Sequence, residues 1–503
     1  MKWKKGIMTF LAGTLLLAGC GAKKEETAVT KEKETATTEA VSGASEHQST
    51  PLEELKDSYD VIIVGAGGGG MSAAIEAKDK GLNPVIFEKM PVAGGNTVKA
   101  SAGMNASNTH YQKEQGIEDN NDLFFEETLK GGKETNDQEL LRYFVDHSAE
   151  AIDWLDGLGI ELSNITTTGG MSVKRTHRPA DGSAVGQYLV DGLQRNVYER
   201  EIPLFTNADV KEIIEKDGKV SGAKVTFNNK EEKEIKSKAV IVATGGFGAN
   251  LEMVSEYNPD LKGFVTTNQE GSQGDGIKMI EKLGGQVVDL EQIQIHPTVE
   301  QETSYLITEA VRGEGAILVS DEGKRFVNEL ETRDNVSAAI IALPEKAAYL
   351  IFDASLRDRV KAIDFYDEQG LVKQGDTIED LAKTLALKPD VLKETVETWN
   401  QAVKDGKDAE FDRTTGMEHE LSQAPFYAIK IAPGIHHTMG GVKINTNAEV
   451  LDKDGHAIPG LYAAGEATGG LHGKNRIGGN AVADIIIYGR QSGNQASEYV
   501  KAN

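Results

Sequence analysis

The run Gly65-Ala66-Gly67-Gly68-Gly69-Gly70 has the spacing G-x-G-x-x-G, in which a glycine turn brings the main chain against a dinucleotide pyrophosphate at the start of a helix. The three motif glycines act differently. Gly65 permits the tight turn, Gly67 lets the pyrophosphate approach the backbone, and Gly70 lets helix and strand pack closely. Glu88, eighteen residues beyond Gly70, stands where a carboxylate accepts from ribose hydroxyls. Chemistry that needs more than one cysteine is closed to the chain. Cys20 is its only cysteine, which excludes an intramolecular disulfide, a cysteine-ligated iron–sulfur cluster and a Cys-x-x-Cys-His haem attachment. No metal ligand set is assigned.

The glycine motif needs a strand before it and a helix after it, and its neighbours supply both. Val61-Ile62-Ile63-Val64 is a continuous apolar run of the kind buried in a parallel sheet, a helix is expected over 71–80, and Pro84 to Phe87 completes a βαβ opening. Between Asp137 and Leu158, residues such as Leu141, Phe144, Ala151 and Leu155 fall at helical spacing and form a packing face. Short alternating strands are expected from Ala208 to Val242, turned at Asp217-Gly218 and Asn228-Asn229. Ala239 to Ala243 is another buried strand, running into Thr244-Gly245-Gly246. Mixed helical and irregular segments from about Glu291 to Ile435, followed by a strand-rich end from Thr438, point to one domain inserted in another. The expected fold class is α/β: a Rossmann-like dinucleotide domain in two parts, 56–290 and 436–503, interrupted by an α+β capping domain at 291–435.

A chain of 503 residues with 39% hydrophobic content can bury a large core in two or three folded units. Its 79 acidic and 54 basic residues give a formal charge of -25, which opposes nucleic-acid binding. An anionic substrate would therefore need a locally positive pocket. At the start, Lys2, Lys4 and Lys5 precede an apolar run from Ile7 to Ala18 that is short for a bilayer span. The run ends in Leu17-Ala18-Gly19-Cys20, which resembles a bacterial lipobox. That resemblance implies a signal peptide at 1–19, a diacylglycerol on Cys20, and an exported protein anchored to the extracellular face of the cell membrane. From Gly21 to Ser49 large apolar residues are nearly absent, so 20–55 is expected to be a disordered tether.

Two stretches resemble the glutathione-reductase-like FAD proteins. Glu88-Lys89-Met90-Pro91-Val92-Ala93-Gly94-Gly95-Asn96-Thr97 is similar to their segment beneath the flavin, and Pro459-Gly460-Leu461-Tyr462-Ala463-Ala464-Gly465-Glu466 to their second flavin-contacting strand and turn. The resemblance implies FAD in place of a nicotinamide, and a split FAD-binding domain. Gly95, Asn96, Thr97, Gly245 and Glu466 would join Gly65, Gly67, Gly70 and Glu88 around it. Membrane-bound fumarate reductases attach FAD to a histidine after the glycine-rich segment; Asn96 to Asn105 contains none, so noncovalent FAD is expected.

Five further segments carry imidazole and guanidinium groups: Gln294 to Thr298, Thr308 to Gly313, Thr332 to Asp334, His436 to Gly441 and His472 to Asn480. In this order they resemble the soluble fumarate reductases of the flavocytochrome c type, and the likeness runs from about Asp60 to Gly489. A substrate with two carboxylates needs charge-assisted donors at both ends, with a bidentate guanidinium the strongest available. The resemblance implies that Arg476 and His436 grip one carboxylate, that His296 and Thr308 hold the other, and that Arg333 delivers a proton replaced through Glu309 and Arg312. Glu309 and Arg312, at i and i+3, share one side of a helix if that segment is helical. His177-Arg178-Pro179 resembles a pocket-lining segment, and Leu306 stands where many members place a methionine.

With no haem, electrons must arrive otherwise. Glu39-Ala40-Val41-Ser42-Gly43-Ala44-Ser45 resembles the acceptor motif of FMN transferases, which implies FMN joined through a phosphoester to Ser45, fed by a membrane quinone or flavin chain. Ser45 lies fifteen residues before Asp60, a flexible reach of roughly 20 Å. Two other readings stay open: reduction of another enoate (urocanate, acrylate or cinnamate), and a surface flavin carrier without catalysis.

Overall fold

The structure, a computed structural model, describes residues 49–503. Cys20, Ser45 and the expected signal peptide lie outside the described residues. The expected tether does not extend to 55. Thr50 N–H donates to the Leu204 carbonyl at 2.8 Å, the Ser49 hydroxyl accepts from Thr206 N–H at 3.0 Å, and Leu52–Glu54 forms a 3₁₀ turn.

A six-stranded sheet is assembled from both ends of the chain, in the order Glu449–Leu451, Ala457–Ala463, Ala239–Val242, Val61–Val64, Pro84–Phe87, Leu204–Phe205. Val61–Val64 lies parallel between Ala239–Val242 and Pro84–Phe87, and all four residues of each are buried. Continuous apolar runs suit these strands because both faces of the sheet are covered. The helix after the first strand spans Gly68–Asp79, starting inside the glycine motif three residues earlier than expected. Glycine reads as a weak helix former, yet here its lack of a side chain lets the C-terminal helix Asn480–Ala502 come close. A Cβ at Gly489 would stand 2.7 Å from the Gly69 carbonyl oxygen.

The strands Ala208–Lys216, Lys219–Phe227 and Glu231–Lys236 form an antiparallel sheet turned at Asp217-Gly218 and Asn228-Asn229, as the spacing predicts. The helical face between Asp137 and Leu158 belongs to two helices, Gln138–Asp146 and Ser148–Gly157, separated at His147, whose ring Nδ1 donates to the Tyr143 carbonyl at 2.8 Å.

The middle of the chain has a sheet of its own, as an α+β capping domain requires, although the sequence does not locate its strands within the mixed helical and irregular segments expected there. Ile293–Val299, Phe426–Thr438, Ala348–Asp353 and Ile317–Val319 pair antiparallel in that order. Leu318, Leu350 and Phe352 enter one apolar cluster with Val336 and Ile363, while Ile317, Val319 and Ile351 enter another with Leu381 and Trp399. Side chains alternate across strands, so the two faces separate these clusters. Phe426–Thr438 runs through the expected boundary at 435/436. Its far end carries Ile435 into the same apolar cluster as the six-stranded sheet.

Candidate active site

The turn that leaves Val61–Val64 opens a cleft lined by Gly65, Gly67, Glu88, Gly95, Asn96, Thr97, Gly245 and Glu466. Gly65 has φ +103°, and a Cβ there would meet the Ala243 carbonyl oxygen at 2.5 Å. Gly70 does not line the cleft: its Cβ would stand 2.0 Å from the Gly65 carbonyl oxygen, so its role is packing. At Gly67 and Gly245, by contrast, a Cβ would meet nothing nearer than 3.8 and 3.9 Å. These two glycines leave the main chain bare toward open space, as a cradle for a bound group requires. Gly67 caps the twelve-residue helix Gly68–Asp79, whose positive end favours a pyrophosphate.

Of the carboxylates that line the cleft, Glu88 and Glu466 are held by backbone N–H groups. Glu88 accepts from Ala66 N–H at 2.8 Å and Met90 N–H at 2.9 Å, and burial pushes its carboxyl above the usual range. Glu466 accepts from Thr438 N–H at 2.9 Å and is likewise raised by burial. Asn96 donates to Asn268 Oδ1 at 2.6 Å and accepts from Gln269 N–H at 2.8 Å, bracing the cleft wall. A dinucleotide with a polar chain between its ends fits this donor set.

A second centre is built from side chains. Arg333 opens the helix Arg333–Ile341 and grips Glu309 Oε2 from Nε at 3.1 Å and Nη2 at 2.9 Å. Glu309 begins the short helix Glu309–Gly313, capped by the Thr308 hydroxyl, and its Oε1 lies 3.9 Å from Arg312 Nη2. The helix thus brings Glu309 and Arg312 to one side, as their spacing requires. Burial alone would raise the Glu309 carboxyl, but Arg333 and then Arg312 outweigh it and hold it below the usual value.

Gln294 is the residue whose role the sequence did not disclose. Its Oε1 accepts from Arg333 Nη1 and from Arg476 Nη2, each at 3.1 Å. Its Nε2 donates to Asn475 Oδ1 at 2.9 Å and the Arg476 carbonyl at 2.7 Å, which fixes the amide's orientation. One neutral oxygen therefore sits between two guanidinium groups. The available signal was its place two residues before His296 on the strand Ile293–Val299, hence on the same face.

The imidazoles converge on the same centre. The His296 and His436 rings lie 5.4 Å apart, centroid to centroid. Burial first, and neighbouring arginine charge next, push both well below the ordinary histidine value, so both are neutral near pH 7. His296 Nδ1 accepts from Thr298 N–H at 3.3 Å, so its proton resides on Nε2, which has no partner among the described residues. His436 Nδ1 meets the Thr267 hydroxyl at 2.8 Å; when that hydroxyl donates, Nε2–H is free for a ligand. Arg476 Nε also lacks a partner, and burial followed by Arg333 pushes the guanidinium down to about 9. Buried donors without acceptors are costly. Here they share one region with clustered positive charge, which is the complement of a small carboxylate.

His177 differs from these. Both ring nitrogens are engaged, Nε2 with the Thr109 hydroxyl and Nδ1 with the Arg175 carbonyl, each at 2.8 Å, so it is a structural residue.

Comparison with known proteins agrees with this arrangement. The family model of the FAD binding domain matches residues 60–482. The NADH:fumarate oxidoreductase of Klebsiella pneumoniae (strain 342) is 54% identical over 441 residues, covering 88% of this chain and 48% of that protein; the chain thus spans about half of that relative's length. The fumarate reductase (cytochrome) of Shewanella frigidimarina is 46% identical over 460 residues, covering 91% of this chain and 80% of the relative. Among solved structures, the open conformation of a flavocytochrome c3 fumarate reductase matches with TM-score 0.74 and 40% identity over 89% of this chain and 79% of that one. The chain belongs to the FAD binding domain family and, within it, to the flavin-dependent fumarate reductases.

Proposed function

We propose that this protein reduces fumarate to succinate. The observation that carries the reading is the sharing of Gln294 Oε1 by Arg333 and Arg476, beside the unpartnered His296 Nε2 and Arg476 Nε. Two guanidinium groups held apart by one amide suit a ligand with two negative charges better than a monocarboxylate. Noncovalent FAD bound in the glycine-lined cleft would supply hydride to one alkene carbon. Arg476 and His436 orient one carboxylate, and His296 and Thr308 the other.

The proton for the second alkene carbon comes from Arg333. A guanidinium does not ordinarily deprotonate, so the loss must be made good at once. Glu309 Oε2 lies 2.9 Å from Arg333 Nη2, and Arg312 stands behind Glu309. Once Arg333 is neutral, the charge that most depresses the Glu309 carboxyl is gone. Burial then favours its protonation, which passes the replacement proton forward.

Electron supply belongs to the same proposal. Covalent FMN on Ser45, attached by an FMN transferase, would carry electrons from a membrane quinone or flavin chain, with the exported protein held at the extracellular face through lipid on Cys20. Intact mass and flavin analysis of the native protein test this part; FAD alone, with no mass increment on the tether peptide, overturns it. An anaerobic assay with reduced dye and a panel of fumarate, urocanate, acrylate and cinnamate tests the chemistry. Turnover confined to urocanate or cinnamate sinks the fumarate reading, and FAD that no enoate reoxidises favours the surface carrier.

A further inference from the structure

The strand Thr176–Arg178 ends in a cation to which the described residues supply almost no hydrogen-bond partner. Arg178 is 5% exposed; its Nη2 donates to the Ser183 carbonyl at 3.4 Å, and its Nε has no hydrogen bond among the described residues. The acidic groups whose charge reaches it, Glu314 and Asp181, are engaged elsewhere. Glu314 accepts from Arg359 Nε at 3.1 Å, and Asp181 from Ser183 N–H at 2.9 Å. A buried guanidinium with so few hydrogen bonds is costly unless an anion accompanies it.

Its neighbours place it at the Thr308 edge of the substrate centre. A Cβ on Gly103 would lie 2.8 Å from Arg178 Cγ, so the side chain lies against that backbone. Two residues earlier, the Ser101 carbonyl accepts from the Thr308 hydroxyl at 3.4 Å. Arg178 also lies within electrostatic reach of Tyr366. The Tyr366 hydroxyl accepts from Thr308 N–H at 2.9 Å and donates to the Leu306 carbonyl at 3.1 Å. In the proposed binding mode this edge meets the second carboxylate with a neutral imidazole and a hydroxyl, neither of which offsets a full negative charge.

We propose that Arg178 is a specificity-determining residue, supplying the cation by which the Thr308 edge selects dicarboxylates over monocarboxylates. The proposal rests on the fumarate reading above. Its test uses the full FAD-loaded protein with Arg178→Gln and Arg178→Lys, titrated calorimetrically with succinate and, in parallel, butanoate. Arg178→Gln should weaken succinate about tenfold or more at low salt and leave butanoate within about twofold, since a lost charge partner acts on the charged group. Arg178→Lys should restore most of the difference, and in turnover the fumarate KM should rise much more than kcat falls. Equal losses for the two ligands, or unchanged succinate affinity in Arg178→Gln, overturn the proposal while the wild type still prefers succinate. A wild type that binds the two ligands alike instead sinks the dicarboxylate reading, and Arg178's role with it.

Discussion

The cofactor cleft and the substrate centre solve recognition in opposite ways. Around the cleft, the backbone does most of the work: bare main chain at Gly67 and Gly245, a helix N-terminus, and carboxylates already tied to backbone N–H groups. At the substrate centre, side chains from five separated segments meet: two arginines pair with one glutamate, and a third joins them through the shared Gln294 amide. The first device recognises a shape that many nucleotides share. The second is tuned to charge, so single substitutions should damage it selectively.

The largest expected effect is at Arg333. Arg333→Ala should retain FAD and lose about 10²–10⁴ in fumarate turnover, the usual worth of a positioned acid; anaerobic kinetics with reduced dye measure it, and near-normal turnover would remove Arg333 from the proton path. Arg476→Ala should raise the fumarate KM about a hundredfold with FAD still bound, because a buried charge contact is worth several kcal/mol. An unchanged KM would place Arg476 outside the pocket.

Two glycine substitutions sharpen the other half of the comparison. Gly67→Val should abolish FAD retention while the melting point of the apoprotein hardly moves, since its side chain would enter only the open cleft. Gly70→Val should instead destabilise the fold by about 1–3 kcal/mol through overpacking against Gly65. Equal losses of stability in the two variants would show that Gly67 is also a packing residue.

The smallest effect concerns pH. His296 and His436 are held well below the ordinary histidine value, so between pH 6 and 8 neither takes up a proton, and the fumarate KM should stay flat. A KM titration near pH 6.5 would contradict neutral imidazoles. Stability behaves differently. Below pH 6.5 the unfolded chain protonates these histidines and the folded chain does not, so denaturation midpoints should fall on acidification from pH 7 toward pH 5.

The same contrast governs what the sequence discloses. The glycine motif, the strand Val61–Val64 and the turns at Asp217-Gly218 and Asn228-Asn229 are local, and local rules read them. The early start of the helix at Gly68 depends on the C-terminal helix, more than four hundred residues away in the chain. The sequence predicts an α+β capping domain but does not place its individual strands, because strands such as Ala348–Asp353 are largely buried and lack polar alternation. At the substrate centre, the charged residues stood out by resemblance. Gln294 did not, because a neutral amide becomes meaningful only when two guanidinium groups from distant segments are seen to share it.

The hydrogen bonds that fasten Ser49 and Thr50 to the sheet edge at Leu204–Thr206 set a leash length for the proposed FMN. Ser45 lies four positions before Ser49, and by chain geometry alone their Cα atoms stand no more than about 14 Å apart. A flavin on Ser45 would patrol one side of the molecule, the Leu204 edge. An electron donor would have to berth there, and mutations that roughen that edge should slow delivery from the donor while leaving dye-driven turnover alone.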